Sequence, residues 1–199
     1  MFSFTRLRGA DPTLGVEMAS TGEVACFGRD EHEAFIQALL STGFKLPIKN
    51  RTILLSIASD AFRKEFREAA FILAKLGYKI YGTPGTQKYY AEKGLDIELV
   101  TKPESENDEG QAGTTSALTL IKAMKIDLII NISEGTTRKD EISSGYIIRR
   151  AAVDFDTSLI TNVKCAIKFA ECLGRGLDKY KAKHIGDFYE LPTIGWTSV

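Results

Sequence analysis

The residues of this chain best suited to chemistry sit in one short turn, Tyr81-Gly82-Thr83-Pro84-Gly85-Thr86. A Thr-x-Gly-Thr turn entering a helix offers two hydroxyls, from Thr83 and Thr86, on either side of Gly85. It also offers the unpaired N–H groups at the positive end of the helix dipole. That set suits a phosphate. Thr and Gly are also ordinary turn and cap residues, so the turn takes its weight from other groups. Lys102 follows a strand-like run and can place a point charge beside an anion. Asn131 and Ser133 close an otherwise apolar run, where packing explains a polar pair poorly. Gly135-Thr136-Thr137-Arg138-Lys139 adds donors, although Arg138 and Lys139 read equally well as a solvated loop.

The elements that position these groups follow from the hydrophobic pattern. Thr52–Ile57 is a continuous apolar run of the kind a strand buried on both faces shows. Ser59 offers an N-cap for a helix whose Phe62, Phe66, Ala69, Ala70, Leu73 and Leu76 share a face, ended by Gly77. The cycle repeats as strand Tyr78–Gly82, a helix from about Thr86, and strand Ile97–Val100. Next come a helix from about Ser116 to Met124 and strand Asp127–Ile132. A helix around Tyr146–Phe155, strand Ser158–Thr161 and helix Val163–Leu173 complete it. Five strands alternating with five helices predict a doubly wound parallel sheet, an α/β fold. Such sheets bind ligands at the carboxyl ends of their strands, where the groups named above all fall.

Composition narrows the function. Hydrophobic residues make up 44%, enough for a core. Lys plus Arg and Asp plus Glu both number 26, so charge gives no case for nucleic acid or a membrane surface. No apolar run reaches transmembrane length, and Met1-Phe2-Ser3-Phe4 lacks a signal-peptide build. Cys26, Cys165 and Cys172 are an odd count without metal-ligand spacing. Cys165 and Cys172 fall on one face of the last predicted helix and read as core thiols in a reducing compartment. The expectation is a soluble cytoplasmic chain with no metal site. Lys102 to Gly113 reads as a mobile surface loop, and Arg175 to Val199 as a tail of undecided order.

The opening residues read differently. A loop punctuated by Gly9, Asp11-Pro12 and Gly15 leads to a strand-like run, Val24 to Phe27. A helix over residues 30–42 follows, with Ala34, Phe35, Ala38, Leu39 and Leu40 on its apolar stripe. This is a fragment without a sheet. The string from Phe2 to Val24, with the helix ending Leu39-Leu-Ser-Thr-Gly-Phe-Lys-Leu-Pro47, resembles the end of the second ATP-grasp unit of the carbamoyl-phosphate synthetase large chain. The rest resembles the methylglyoxal-synthase-like regulatory domain that follows it in that enzyme. The resemblance implies residues 1–46 as the ATP-grasp remnant, 50–174 as the regulatory domain and 175–199 as a tail. It also implies the strand order 3-2-1-4-5.

In the bacterial and pyrimidine-pathway members, the Thr-x-Gly-Thr turn holds a nucleotide phosphate, which implies that role for Thr83, Gly85 and Thr86. Lys102, Asn131 and Ser133 match further nucleotide contacts. A basic residue early in the first helix implies Lys64, or Arg63 because the loop spacing differs. Urea-cycle members, activated by acetylglutamate, carry tryptophan at the Lys102 position and asparagine at the Gly145 position. Both departures point to a uridine nucleotide or a phosphoribosyl compound. A methylglyoxal synthase needs a carboxylate base where alignment puts Thr114, and its histidines have no counterpart, since only His32 and His184 occur. Asp108 and Glu109 read as solvated. The cyclohydrolase half of purine synthesis begins its chain with this fold, unlike the present sequence. The implied role is effector binding for a glutamine-dependent, pyrimidine-pathway ligase, with no catalytic residue or cofactor here. ATP and magnesium belong to the parent. The implied partners are a nucleotide effector and the remainder of the synthetase with its glutaminase, self-association being open.

Overall fold

The structure, a computed structural model, describes residues 26–103, 115–133 and 144–176. Helix α1 (Glu31–Ser41) precedes the sheet. Strand β1 (Thr52–Ile57) leads through α2 (Asp60–Glu65) and α3 (Arg67–Lys75) to β2 (Lys79–Gly82). Helix α4 (Pro84–Ala91) leads to β3 (Glu98–Leu99), α5 (Ala117–Lys122) to β4 (Leu128–Ile132), and α6 (Ser144–Asp154) to β5 (Ser158–Ile160). Helix α7 (Val163–Gly174) closes the described chain. All four strand pairings are parallel and the order is β3-β2-β1-β4-β5, as the resemblance implied.

Period-two alternation sorts the side chains of β1 between two cores. Ile53, Leu55 and Ile57 join Ile36, Phe66, Leu73, Tyr90 and Phe169 on the α1/α3/α7 face. Leu54 joins Ile129, Leu120, Ile121 and Ile148 on the α5/α6 face. Burial of β1 on both faces is what its unbroken apolar run foretold.

Two elements depart from the sequence pattern, and one expected cap is in place. The helix expected from Ser59 to Leu76 loosens at Phe66 (φ −81°, ψ −1°), so α2 and α3 are separate helices. Hydrogen bonds from Phe66 N to Phe62 O and from Ala70 N to Phe66 O carry through, and the Phe66 ring is fully buried. Strand β3 keeps only two ladder residues, flanked by the buried Ile97 and Val100, and Val100 N still bonds to Gly82 O of β2 at 3.0 Å. A short edge strand also offers little template for unwanted pairing. Gly77 takes φ +80° just after α3, and Tyr78 N bonds back to Leu73 O at 3.2 Å. This is the left-handed cap that a glycine permits without steric cost.

Cys165 corrects an expectation: it is exposed, whereas Cys172 is buried and Cys26 half-buried, all three as free thiols. The two α7 cysteines share a face, but α1 covers only its second half. There Cys172 Sγ donates to the His32 carbonyl at 3.4 Å. The expected strand Val24–Phe27 lies partly outside the described residues, and Cys26–Gly28 are not in a strand.

Helix α1 is no loose appendage. Ile36 is fully buried in the larger core, and the Phe44 ring meets Phe169 edge-on at 5.4 Å. The N-cap Asp30 accepts from His32 N and Glu33 N, both at 2.9 Å, and takes Arg175 Nη1 at 2.8 Å. Lys168 Nζ bridges Glu31 and Glu171 at 2.8 Å each, and His32 Nε2 lies 3.2 Å from Glu171. Hydrogen bonds from the Glu33 N–H lower the Asp30 carboxyl, and the Lys168 ammonium lowers those of Glu31 and Glu171. A depressed folded value adds stability above the unfolded carboxylate range that is lost as pH falls through it. Docking of α1 on α7 is therefore expected to loosen below about pH 4. Amide exchange should quicken in residues 31–41 before it does in β1 and β4. Uniform protection of α1 down to the global acid transition would contradict this.

Candidate functional site

The turn after β2 is already assembled. Thr83 caps α4 with extended backbone (φ −65°, ψ 157°), Pro84 starts the helix, and Thr83 N bonds to Leu55 O at 3.1 Å. Thr86 Oγ1 accepts from Ile57 N at 3.0 Å and donates to Ile57 O at 3.2 Å. Its hydroxyl therefore ties α4 to the end of β1. Thr83 Oγ1 stands 3.4 Å from Thr86 Oγ1 and 3.5 Å from Ser56 Oγ. All three hydroxyl residues are buried. Ser56 extends the site beyond the residues named from the sequence. Its signal was a lone polar residue in an apolar strand, the same signal that singled out Asn131.

Register carries this polar row onto the next strand. Ser56 pairs with Asn131 across β1 and β4, so the two side chains share a sheet face. Asn131 is buried at 2% exposure, whereas Ser133 is exposed beyond the strand end. Arg149 of α6 donates from Nη1 to Asn131 Oδ1 at 2.9 Å. Arg149 thus joins α6 to the end of β4 and forms no surface salt bridge among the described residues. The i,i+4 pair with Asp154 belongs to Arg150, at 3.0 Å. One residue step turns a helical side chain by about 100°, so Arg149 faces the sheet and Arg150 does not.

The basic residues divide the same way. Arg63 wraps over the start of α2, donating to Ile57 O at 2.9 Å, Ala58 O at 2.8 Å and Asp60 Oδ1 at 2.6 Å. A β-carbon placed on Gly85 would stand 3.0 Å from Arg63 Nη2, so this guanidinium lies against the threonine turn. Tyr90 OH donates to Arg63 O at 2.9 Å, and burial pushes the Tyr90 phenol well above its usual range. Lys64 is exposed and lines a cleft with Arg67, Phe71 and Lys93 on the outer side of α3. Of the two alternatives, the structure puts Arg63 at the turn.

Lys102 is exposed after β3, where Thr101 bridges in parallel to Ser116. Hydrogen bonds of 3.1 Å from Thr101 N to Thr115 O and from Ala117 N to Thr101 O fix its base. Thr101 Oγ1 is buried with no hydrogen-bond partner among the described residues. Thr83, Gly85 and Thr86 thus meet Ser56 and Arg63, and Asn131 meets Arg149. Lys102 and Ser133 stand at neighbouring strand ends without a hydrogen bond to that row among the described residues. Asp108, Glu109, Thr114, Arg138, Lys139 and His184 lie outside the described residues. Among the described residues, no group of three or more His, Cys, Asp or Glu side chains is placed to hold a metal. No helix there is long and apolar enough to cross a membrane.

The sheet order and the hydroxyl-lined turn after its second strand fit an MGS-like domain. Residues 65–161 match the family of that description, and the chain belongs to it. It is 46% identical over 175 residues to the multifunctional protein pyr1-3 of Dictyostelium discoideum, covering 86% of this chain and 8% of that protein. It is 43% identical to the multifunctional protein CAD of Squalus acanthias, covering 86% and 8%. With the mitochondrial carbamoyl-phosphate synthase (ammonia) of Rattus norvegicus the identity is 42%, covering 87% and 11%. The chain thus spans about a tenth of the length of the curated relatives it matches. Methylglyoxal synthase from Elizabethkingia anophelis NUHP1 aligns at a TM-score of 0.44 and 15% identity, covering 71% of this chain and 93% of that one.

Proposed function

We propose that this chain is the effector-binding region of a carbamoyl-phosphate synthetase of the glutamine-dependent, pyrimidine-pathway type. Its effector is a uridine nucleotide or a phosphoribosyl compound whose phosphate seats on the Thr83–Thr86 turn. The observation that carries this is the buried row Thr86–Thr83–Ser56, built at the first turn of α4 with the Arg63 guanidinium against it. Hydroxyls, orphan N–H groups and the Arg63 guanidinium meet there, and Arg63 also holds the Asp60 carboxylate. The multifunctional relatives support the parent assignment, and the parent would supply ATP, magnesium and catalysis. Binding becomes regulation only if the effector favours one state of the parent over another.

Calorimetry separates the readings. Uridine monophosphate should bind and uridine should bind far more weakly, because phosphate contacts dominate. Equal affinity would remove the phosphate turn from the account. The same titration with acetylglutamate tests the urea-cycle reading, and turnover of dihydroxyacetone phosphate tests the lyase reading; neither is expected to respond.

Lys102→Ala should weaken the nucleotide and make residual binding less sensitive to salt, since a point charge is lost. Lys102→Trp should abolish nucleotide binding without creating acetylglutamate binding, because Gly145 still lacks a side-chain amide. Unchanged affinity and salt slope in both variants would put the ligand elsewhere.

A further inference from the structure

We propose that Arg149 sets the polarity of Asn131, making the β4 end of the site a hydrogen-bond donor that selects an acceptor oxygen on the ligand. The inference rests on the nucleotide reading above and goes beyond it by naming the chemistry of one contact. A primary amide can present either its oxygen or its NH₂ group to a neighbour. A guanidinium removes that choice, because it carries N–H donors and no acceptor. With Arg149 Nη1 at 2.9 Å, Asn131 must turn Oδ1 toward α6. The reversed amide would set N–H against N–H. At 2% exposure, little water reaches Asn131 to relieve that arrangement.

The amide nitrogen is consequently the group left over, and the Asn131 side chain forms no second hydrogen bond among the described residues. Its neighbour in register is Ser56, whose hydroxyl meets Thr83. A ligand seated on the threonine turn and extending along this row therefore reaches two amide N–H donors at Asn131. Arg149 is held in place by its helix, whose Ile148, Ala151 and Ala152 pack on Leu54 and Ile129 of the same sheet face. It is a positioning residue: it acts on the ligand through Asn131. The accepting atom is a carbonyl oxygen of the base or an oxygen of the ribose phosphate, and the two sources give different results below.

The decisive variant is Asn131→Asp. An aspartate keeps the Arg149 pair, strengthened by charge, and so keeps the packing, but it replaces the NH₂ group with an acceptor. Uridine monophosphate affinity should fall about tenfold or more while thermal stability holds or rises. Arg149→Met should free the amide to turn and weaken binding, and Arg149→Lys, which still donates, should restore part of it. In amide NMR spectra of the native protein, the Asn131 side-chain NH₂ pair, assigned by its loss in Asn131→Asp, should shift on nucleotide addition. If the accepting oxygen is O4 of uracil, which cytosine replaces with an amino group, uridine monophosphate should outcompete cytidine monophosphate, and Arg149→Met should narrow that gap. If it is O2, Asn131→Asp should weaken both nucleotides but not ribose 5-phosphate. If it is a ribose-phosphate oxygen, both nucleotides and ribose 5-phosphate should lose affinity alike. Full affinity in folded Asn131→Asp, with nucleotide binding by the native protein intact, would overturn this inference alone. Absence of any nucleotide binding by the native protein would overturn it together with the function it rests on.

Discussion

Phe169→Ala is expected to cost about 3–5 kcal/mol of folding stability, a large share of the roughly 5–15 kcal/mol a domain usually has. The Phe169 ring is fully buried in the larger core and meets Phe44 edge-on at 64°. It joins α7, the residues after α1 and the β1 face of the sheet, so its loss leaves a cavity that three elements would have to close. For a chain of this size the melting temperature should fall by on the order of 10 °C. Phe44→Ala should follow in the same direction and by less, because that ring is only half-buried. Guanidinium titrations of both variants would measure this. A Phe44→Ala protein as stable as the native one would mean that the segment before Pro47 merely rests on the sheet.

Thr86→Val should damage ligand binding and stability together. Valine matches threonine in shape but cannot accept from Ile57 N, so a buried N–H loses its partner at a cost of about 1–3 kcal/mol. Under the proposed function it also deletes the hydroxyl that would turn its proton from Ile57 O to the phosphate, which should lower nucleotide affinity about tenfold or more. Thr86→Ser keeps the hydroxyl and should recover most of both losses. Titration well below the melting temperature separates the two effects. Native affinity in folded Thr86→Val protein would remove the turn from the site.

What could be read from the sequence divides along the line between local and tertiary causes. Thr52–Ile57 was readable to the residue, because burial on both faces leaves no alternation to blur its ends. The Thr83–Thr86 turn was readable because its residue types are the ones that local geometry requires. Strand order came only with the family resemblance, since alternation of strands and helices fits several arrangements. Arg63 and Lys64 could not be separated by spacing, because adjacent positions on a helix differ by a rotation and not by chemistry. Arg149 and Arg150 are inseparable in sequence for the same reason: the contact that tells them apart crosses from α6 to β4. Ser56 carried the polar-in-apolar signal already used for Asn131 and was passed over inside its strand.

The placing of β1 at the centre of the sheet has a consequence for the nascent chain. One neighbour, β2, follows within about thirty residues, but the other, β4, begins only at Leu128. At roughly 5–20 residues per second, β1 waits on the order of several seconds with one edge unpaired. That edge belongs to Thr-Ile-Leu-Leu-Ser-Ile, an uncharged segment of high strand propensity without proline, the type that self-associates when exposed. Helix α1 waits longer still, until α7 is complete. High contact order of this kind slows closure and leaves apolar faces uncovered meanwhile. Charged substitutions in β1 should therefore depress soluble yield more than their effect on the folded domain accounts for.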